Sequence, residues 1–114
     1  MIFVIEDDPI MAGCIAKATG EKCRIFSNGI EAMSALEEDL PELIFLDVLL
    51  DGPDGFTFLN ELMSYPDTVK IPVAIVSSLN FENKDLSSYG VVGYLNKDTM
   101  LPQEIKDYVI RYTH

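Results

Sequence analysis

The stretch "LIFLDVLLDGPDG", residues 43–55, runs an apolar segment, Leu43 to Leu46, straight into a carboxylate at Asp47. A short, unbroken apolar run of this kind reads as a strand buried on both faces, the pattern of a parallel sheet covered by helices. Asp47 then stands where the strand emerges, with two more acids, Asp51 and Asp54, and two glycines, Gly52 and Gly55, just beyond it. Burial alone supplies no reason for a carboxylate at that point.

Similar apolar runs occur at Ile2 to Ile5 and Val73 to Val76, with weaker strand candidates at Arg24 to Phe26 and Gly93 to Leu95. Helical spacing fills the intervals. Ile10 to Ala18 follows Pro9, with Asp8 as cap. Ile30, Met33 and Leu36 follow a cap at Asn28, with Glu31 three residues on. Phe56, Leu59 and Leu62 precede Pro66, and Ile105, Tyr108, Val109 and Tyr112 close the chain. With a short polar segment around Asn83 to Tyr89, strand and helix alternate five times, which predicts an open, doubly wound α/β fold: a five-stranded parallel sheet with helices on both faces.

The chain's 114 residues suit one domain, and 48% hydrophobic with 24% charged residues is a globular composition. No membrane span or signal peptide is visible, so a cytoplasmic location is expected. Cys14 and Cys23 form no disulfide framework or metal pattern and are expected to be reduced, buried thiols. A formal net charge of −11 opposes direct binding to nucleic acid or to an anionic membrane, and fits both simple solubility and an acidic metal site among the 19 acids. No linker or repeat is visible, His114 reads as a solvated end, and residues 1–114 are expected to be one domain without an output domain.

In an open parallel sheet, residues just past the carboxyl ends of the strands face a common crevice. Here they are Glu6, Asp7 and Asp8 after the first strand, Asp47 after the third, Ser77 and Ser78 after the fourth, and Asn96 and Lys97 after the fifth. Crowded carboxylates repel one another and call for a cation. Oxygen donors without histidine or thiol suit a hard ion, Mg2+ better than Ca2+. With metal and Lys97 beside it, one carboxylate could attack a phosphorus centre, while Ser77 donates to a phosphoryl oxygen.

With "FVIEDDP", "FLDVLLDGPDGF", "IPVAIVSS" and "GYLNK" in this order, the whole chain resembles a response-regulator receiver domain of two-component signalling, of the single-domain chemotaxis type. The resemblance implies a flavodoxin-like strand order, 2-1-3-4-5, and a role for each matching residue. Asp47 would be the phosphoacceptor, with Asp7 and Asp47 as direct Mg2+ ligands, Glu6 acting largely through metal-bound water, and the Leu49 carbonyl completing the set. Lys97 would pair with the phosphoryl group, and Ser77 and Tyr94 would form the coupled switch. Implied partners are a histidine kinase or histidine phosphotransfer protein and a downstream protein target met at Tyr89, Val91, Val92, Tyr94 and the last helix, whose apolar character fits a core equally well; a phosphorylation-dependent homodimer is left open. The expected catalysis is confined to the chain's own Mg2+-dependent phosphorylation and dephosphorylation.

The chain departs from the family pattern in places. Asp51 stands where proline is usual, and Asp98 follows Lys97 in place of a proline whose cis peptide helps to place the ammonium; a trans bond and a less secure Lys97 are therefore expected. Asp54 reads as a helix cap and Gly55 as a residue that relaxes the turn. Leu49 and Leu79 fall where the resemblance puts the path of hydrolytic water. These departures encourage a second reading, a phosphorylation-independent receiver-like interaction module. Glu6, Asp7, Asp47, Ser77 and Lys97 together argue against it. A flavin site would need a Gly/Ser/Thr-rich turn where the chain has three acids.

Overall fold

The computed structural model describes residues 1–48, 55–78 and 86–113. The strands are β1 (Ile2–Ile5), β2 (Cys23–Phe26), β3 (Leu43–Leu46), β4 (Val73–Ser77) and β5 (Val91–Asn96). The helices are α1 (Pro9–Thr19), α2 (Gly29–Ala35), α3 (Gly55–Met63) and α4 (Pro102–Tyr112), with a 3-10 turn at Ser87–Tyr89. All strand pairs are parallel, in the order β2-β1-β3-β4-β5. The expected doubly wound sheet is present. The segment expected to be helical around Asn83 to Tyr89 is seen only in its last part, as the 3-10 turn; residues 79–85 lie outside the described residues.

Strand residues alternate between two cores. Phe3, Ile5, Ile44, Leu46, Val73 and Ile75 pack on the side of α2 and α3. Ile2, Val4, Leu43, Phe45, Ala74 and Val76 pack against Ala12 and Ile15 of α1 and Ile105 and Val109 of α4. Two-sided burial is why these strands read as continuous apolar runs, and each large side chain so buried contributes about 1.5–3 kcal/mol.

Local signals set the helix ends. Asp8 accepts from the backbone N–H groups of Ile10 (2.9 Å) and Met11 (3.4 Å), and Gly20, at φ 67°, closes α1 in the left-handed conformation glycine favours. The Asn28 side chain accepts from the Glu31 N–H at 2.9 Å. At α4, Pro102 opens the first turn and the Glu104 carboxylate accepts from the Leu101 N–H at 3.0 Å.

Two expectations are corrected. Of the spaced set Ile30, Met33 and Leu36, Leu36 is buried and Met33 packs partly on the core, but Ile30 is 63% exposed: Gly29, Ala32 and Ala35 form the rest of the inward face and let α2 approach Phe58 of α3. Cys14 is exposed, because α1 packs through Ala12 and Ile15, and Cys23, on the edge strand β2, is only half-buried. At the expected partner face the core reading, left open above, holds for Val91, and Tyr89 and Tyr94 pack partly against that core.

Gly55 is required for close approach rather than for turn freedom. A Cβ there would sit 2.5 Å from Val48 Cα and 3.0 Å from the Asp47 carbonyl oxygen, while the Gly55 N–H donates to the Val48 carbonyl at 3.1 Å. The obstacle is backbone, so no side-chain rotation relieves it. Gly55→Ala is expected to destabilise the fold by about 1–3 kcal/mol, read as a lower urea midpoint; an unchanged midpoint would refute this reading of the contact.

A groove of about 330 Å³ lined by Met33, Glu37, Glu61 and Tyr65, among others, contains none of the strand-end residues singled out above.

Candidate functional site

Three residues expected to form the site sit one position beyond a strand and are held there by a backbone hydrogen bond to the neighbouring strand. The Glu6 N–H donates to the Phe26 carbonyl (2.9 Å), the Asp47 N–H to the Ile5 carbonyl (2.9 Å) and the Lys97 N–H to the Ser77 carbonyl (3.1 Å). The sheet therefore fixes the backbone from which each side chain departs. Ser77, the last residue of β4, is opposite Asn96 in the ladder.

Carboxylate oxygens of Glu6, Asp7 and Asp47 lie within 4.8 Å of one another. Glu6 and Asp47 are 2% and 3% exposed, which is unusual for acids and requires compensation. Lys97 supplies part of it: its ammonium donates to Asp47 Oδ2 at 2.9 Å and is paired with Glu6 Oε1. That contact aside, neither Glu6 oxygen has a well-formed hydrogen-bond partner among the described residues.

Burial, first, and then the neighbouring Asp47 carboxylate push the Glu6 carboxyl up to about 8, against a smaller opposing pull from Lys97. For Lys97, burial alone would lower the pKa. Its hydrogen bonds to Glu6 and Asp47 and their charges outweigh burial and hold it above its ordinary value. The expected trans peptide after Lys97 is present, since no cis bond occurs among the described residues, yet the ammonium still reaches both acids. The insecurity expected of Lys97 is thus not seen.

The clustered carboxylates of Glu6, Asp7 and Asp47, of which Glu6 and Asp47 are buried and Glu6 has under-satisfied oxygens, fit a hard divalent cation; among the described residues no histidine or cysteine joins them. Ser77 is buried at the same edge, whereas Ser78 is exposed. Asp8 is occupied with the α1 cap. Tyr94 is half-buried on β5 against the α2–α3 core. The expectations for Leu49, Asp51, Pro53, Asp54, Leu79 and His114 lie outside the described residues. Asn96 was legible only as a polar strand end; its Oδ1 accepts the Asp98 N–H at 2.8 Å, a turn beside Lys97 that composition does not reveal.

A doubly wound parallel sheet thus presents buried acids, a hydroxyl and a lysine at its carboxyl edge, where open α/β sheets bind ligands. The model of the response regulator receiver domain matches residues 2–109, and the chain belongs to that family. It is therefore a receiver domain of two-component signalling. Response regulator PleD of Caulobacter vibrioides is 37% identical over 67 residues, covering 57% of this chain and 15% of PleD. The DNA-binding transcriptional regulator NtrC of Escherichia coli is 27% identical over 103 residues, covering 85% of this chain and 21% of NtrC. The chain thus spans a small part of the length of these relatives. Among solved structures, the phosphorylated cyanobacterial phytochrome response regulator RcpA superposes with a TM-score of 0.83 at 27% identity, covering 98% of this chain and 92% of that one. The receiver domain of sensor histidine kinase PA1611 from Pseudomonas aeruginosa, solved with magnesium in its active-site cleft, shares the fold at TM-score 0.81 and 20% identity, covering 97% of this chain and 94% of that one. No helix among the described residues is long and apolar enough to cross a membrane.

Proposed function

We propose that Asp47 accepts a phosphoryl group from a histidine kinase or histidine phosphotransfer protein, and that the resulting acyl phosphate switches a protein-binding face. The observation that carries this reading is the buried Asp47 carboxylate, held at the end of β3 within reach of Glu6, Asp7 and the Lys97 ammonium. In the transfer, an Asp47 oxygen forms the new O–P bond as the P–N bond of a phosphohistidine breaks, and its electron pair returns to the imidazole nitrogen. Water later cleaves the acyl phosphate, giving inorganic phosphate and the carboxylate.

Glu6, Asp7 and Asp47 would hold Mg2+, with the Leu49 carbonyl as the further ligand expected from the resemblance. When bound, the ion neutralises charge on the phosphoryl oxygens. Lys97 moves with the developing charge: paired with Asp47 before transfer, it pairs with a phosphoryl oxygen afterwards. Ser77 donates its hydroxyl to another, and Tyr94 follows it inward, changing the surface made by β4 and β5. The catalysis assigned to the chain is on itself, and the net charge of −11 favours protein over nucleic-acid partners.

The test is intact mass after incubation with a small-molecule phosphodonor, with and without Mg2+. Wild type is expected to gain one phosphoryl group only with Mg2+, and the near-isosteric Asp47→Asn to gain none while remaining folded. A folded wild type that gains nothing would favour the phosphorylation-independent interaction module.

A further inference from the structure

Lys97 does not end its strand alone. Asn96, opposite Ser77 in the β4–β5 ladder, is the last residue of β5, and its side chain turns forward so that Oδ1 accepts the Asp98 N–H at 2.8 Å. Its main-chain carbonyl accepts from Thr99 (3.2 Å) and Met100 (2.8 Å). The Lys97 N–H is meanwhile fixed to the Ser77 carbonyl at 3.1 Å. Lys97 is therefore gripped on one side by the sheet and on the other by a turn whose acceptors are the two oxygens of Asn96. Asp98 and Thr99 are exposed. The direction in which the Lys97 side chain leaves the backbone depends on its own dihedrals, which this double grip restricts. That direction puts the ammonium on Asp47 and Glu6 across the sheet edge.

We infer that Asn96 is a positioning residue for Lys97: by closing the turn on Asp98 it aims the ammonium at Glu6 and Asp47. The inference deepens the phosphoacceptor reading and rests on it for the rate measurement, but not for the spectroscopic one. Asn96→Ala removes the side-chain acceptor and leaves the main-chain bonds available. Asn96→Asp retains an oxygen that can accept the same N–H.

Two readouts test the inference. In protein labelled with 13C at lysine, the Lys97 ε-methylene signal is expected to move toward the shifts of exposed lysines in Asn96→Ala and to stay in place in Asn96→Asp. With a small-molecule phosphodonor and Mg2+, Asn96→Ala is expected to be phosphorylated about three- to ten-fold more slowly, the span of one exposed side-chain hydrogen bond. The loss should be restored in Asn96→Asp and absent when Asn96→Ala is added to Lys97→Ala. A Lys97 signal unchanged in Asn96→Ala, or an equal loss of rate in the Lys97→Ala background, would overturn the inference. A wild type that takes up no phosphate while the Lys97 signal moves as described would overturn the phosphoacceptor reading and leave the positioning role standing.

Discussion

Lys97→Ala is expected to slow phosphoryl acceptance at Asp47 by roughly 100-fold, the scale of removing one preorganised group that stabilises charge developing in a transition state. In the resting protein the Lys97 ammonium is within 2.9 Å of Asp47 and also paired with Glu6, and it is only partly exposed. It acts where water screens poorly, so its charge counts for more than a surface lysine's. The same substitution removes a cation that competes with Mg2+ for these carboxylates, so Mg2+ affinity is expected to rise as the phosphorylation rate falls. Calorimetric Mg2+ titration beside a phosphodonor time course separates the two effects. Parallel loss of affinity and rate would mean that Lys97 supports the site structurally instead.

In EDTA, the protein is expected to lose stability as pH rises from about 4.5 to about 8. Burial and Asp47 raise the Glu6 carboxyl from its ordinary 4.5 to about 8, so between these values the folded chain keeps a proton that the unfolded chain has released. Protons bound preferentially by the native state stabilise it. This contribution is complete below the unfolded pKa and is lost as pH climbs through the folded one, a change on the order of a few kcal/mol. Lys97, raised above its own ordinary value, keeps its stabilising charge throughout this window. A divalent ion can take the place of the proton, so Mg2+ should raise the melting temperature much more near pH 8.5 than near pH 5. Thermal melts at both pH values, with EDTA and with Mg2+, check this. A flat profile in EDTA would show that Glu6 titrates normally.

The fold was legible in the sequence because buried parallel strands leave a signal that needs no tertiary knowledge. Leu43 to Leu46 and Ile2 to Ile5 are strands with the limits read from their apolar runs. Glu6, Asp7, Asp47, Ser77 and Lys97 followed from the same signal, since a strand's end fixes which residues reach the carboxyl edge. What escaped depends on contacts between distant segments. Gly55 resembles any turn glycine until Val48 is seen against it. Ile30 looks like a core residue because periodicity weighs large side chains, whereas α2 is seated by Ala32 and Ala35. The turn at Asn96 is invisible for another reason: a polar residue ending a strand is commonplace, and only geometry shows its oxygen on the Asp98 N–H.

The most direct test of the account is to locate the phosphoryl group. An acyl phosphate is reduced by borohydride to an alcohol, so borohydride treatment of protein incubated with Mg2+ and a small-molecule phosphodonor, followed by peptide mapping, marks the acceptor carboxylate. The account predicts the mark at Asp47 and at none of the other acids among the 19 in the chain. A mark on a different carboxylate, or none in protein shown to be folded and supplied with Mg2+, would contradict it.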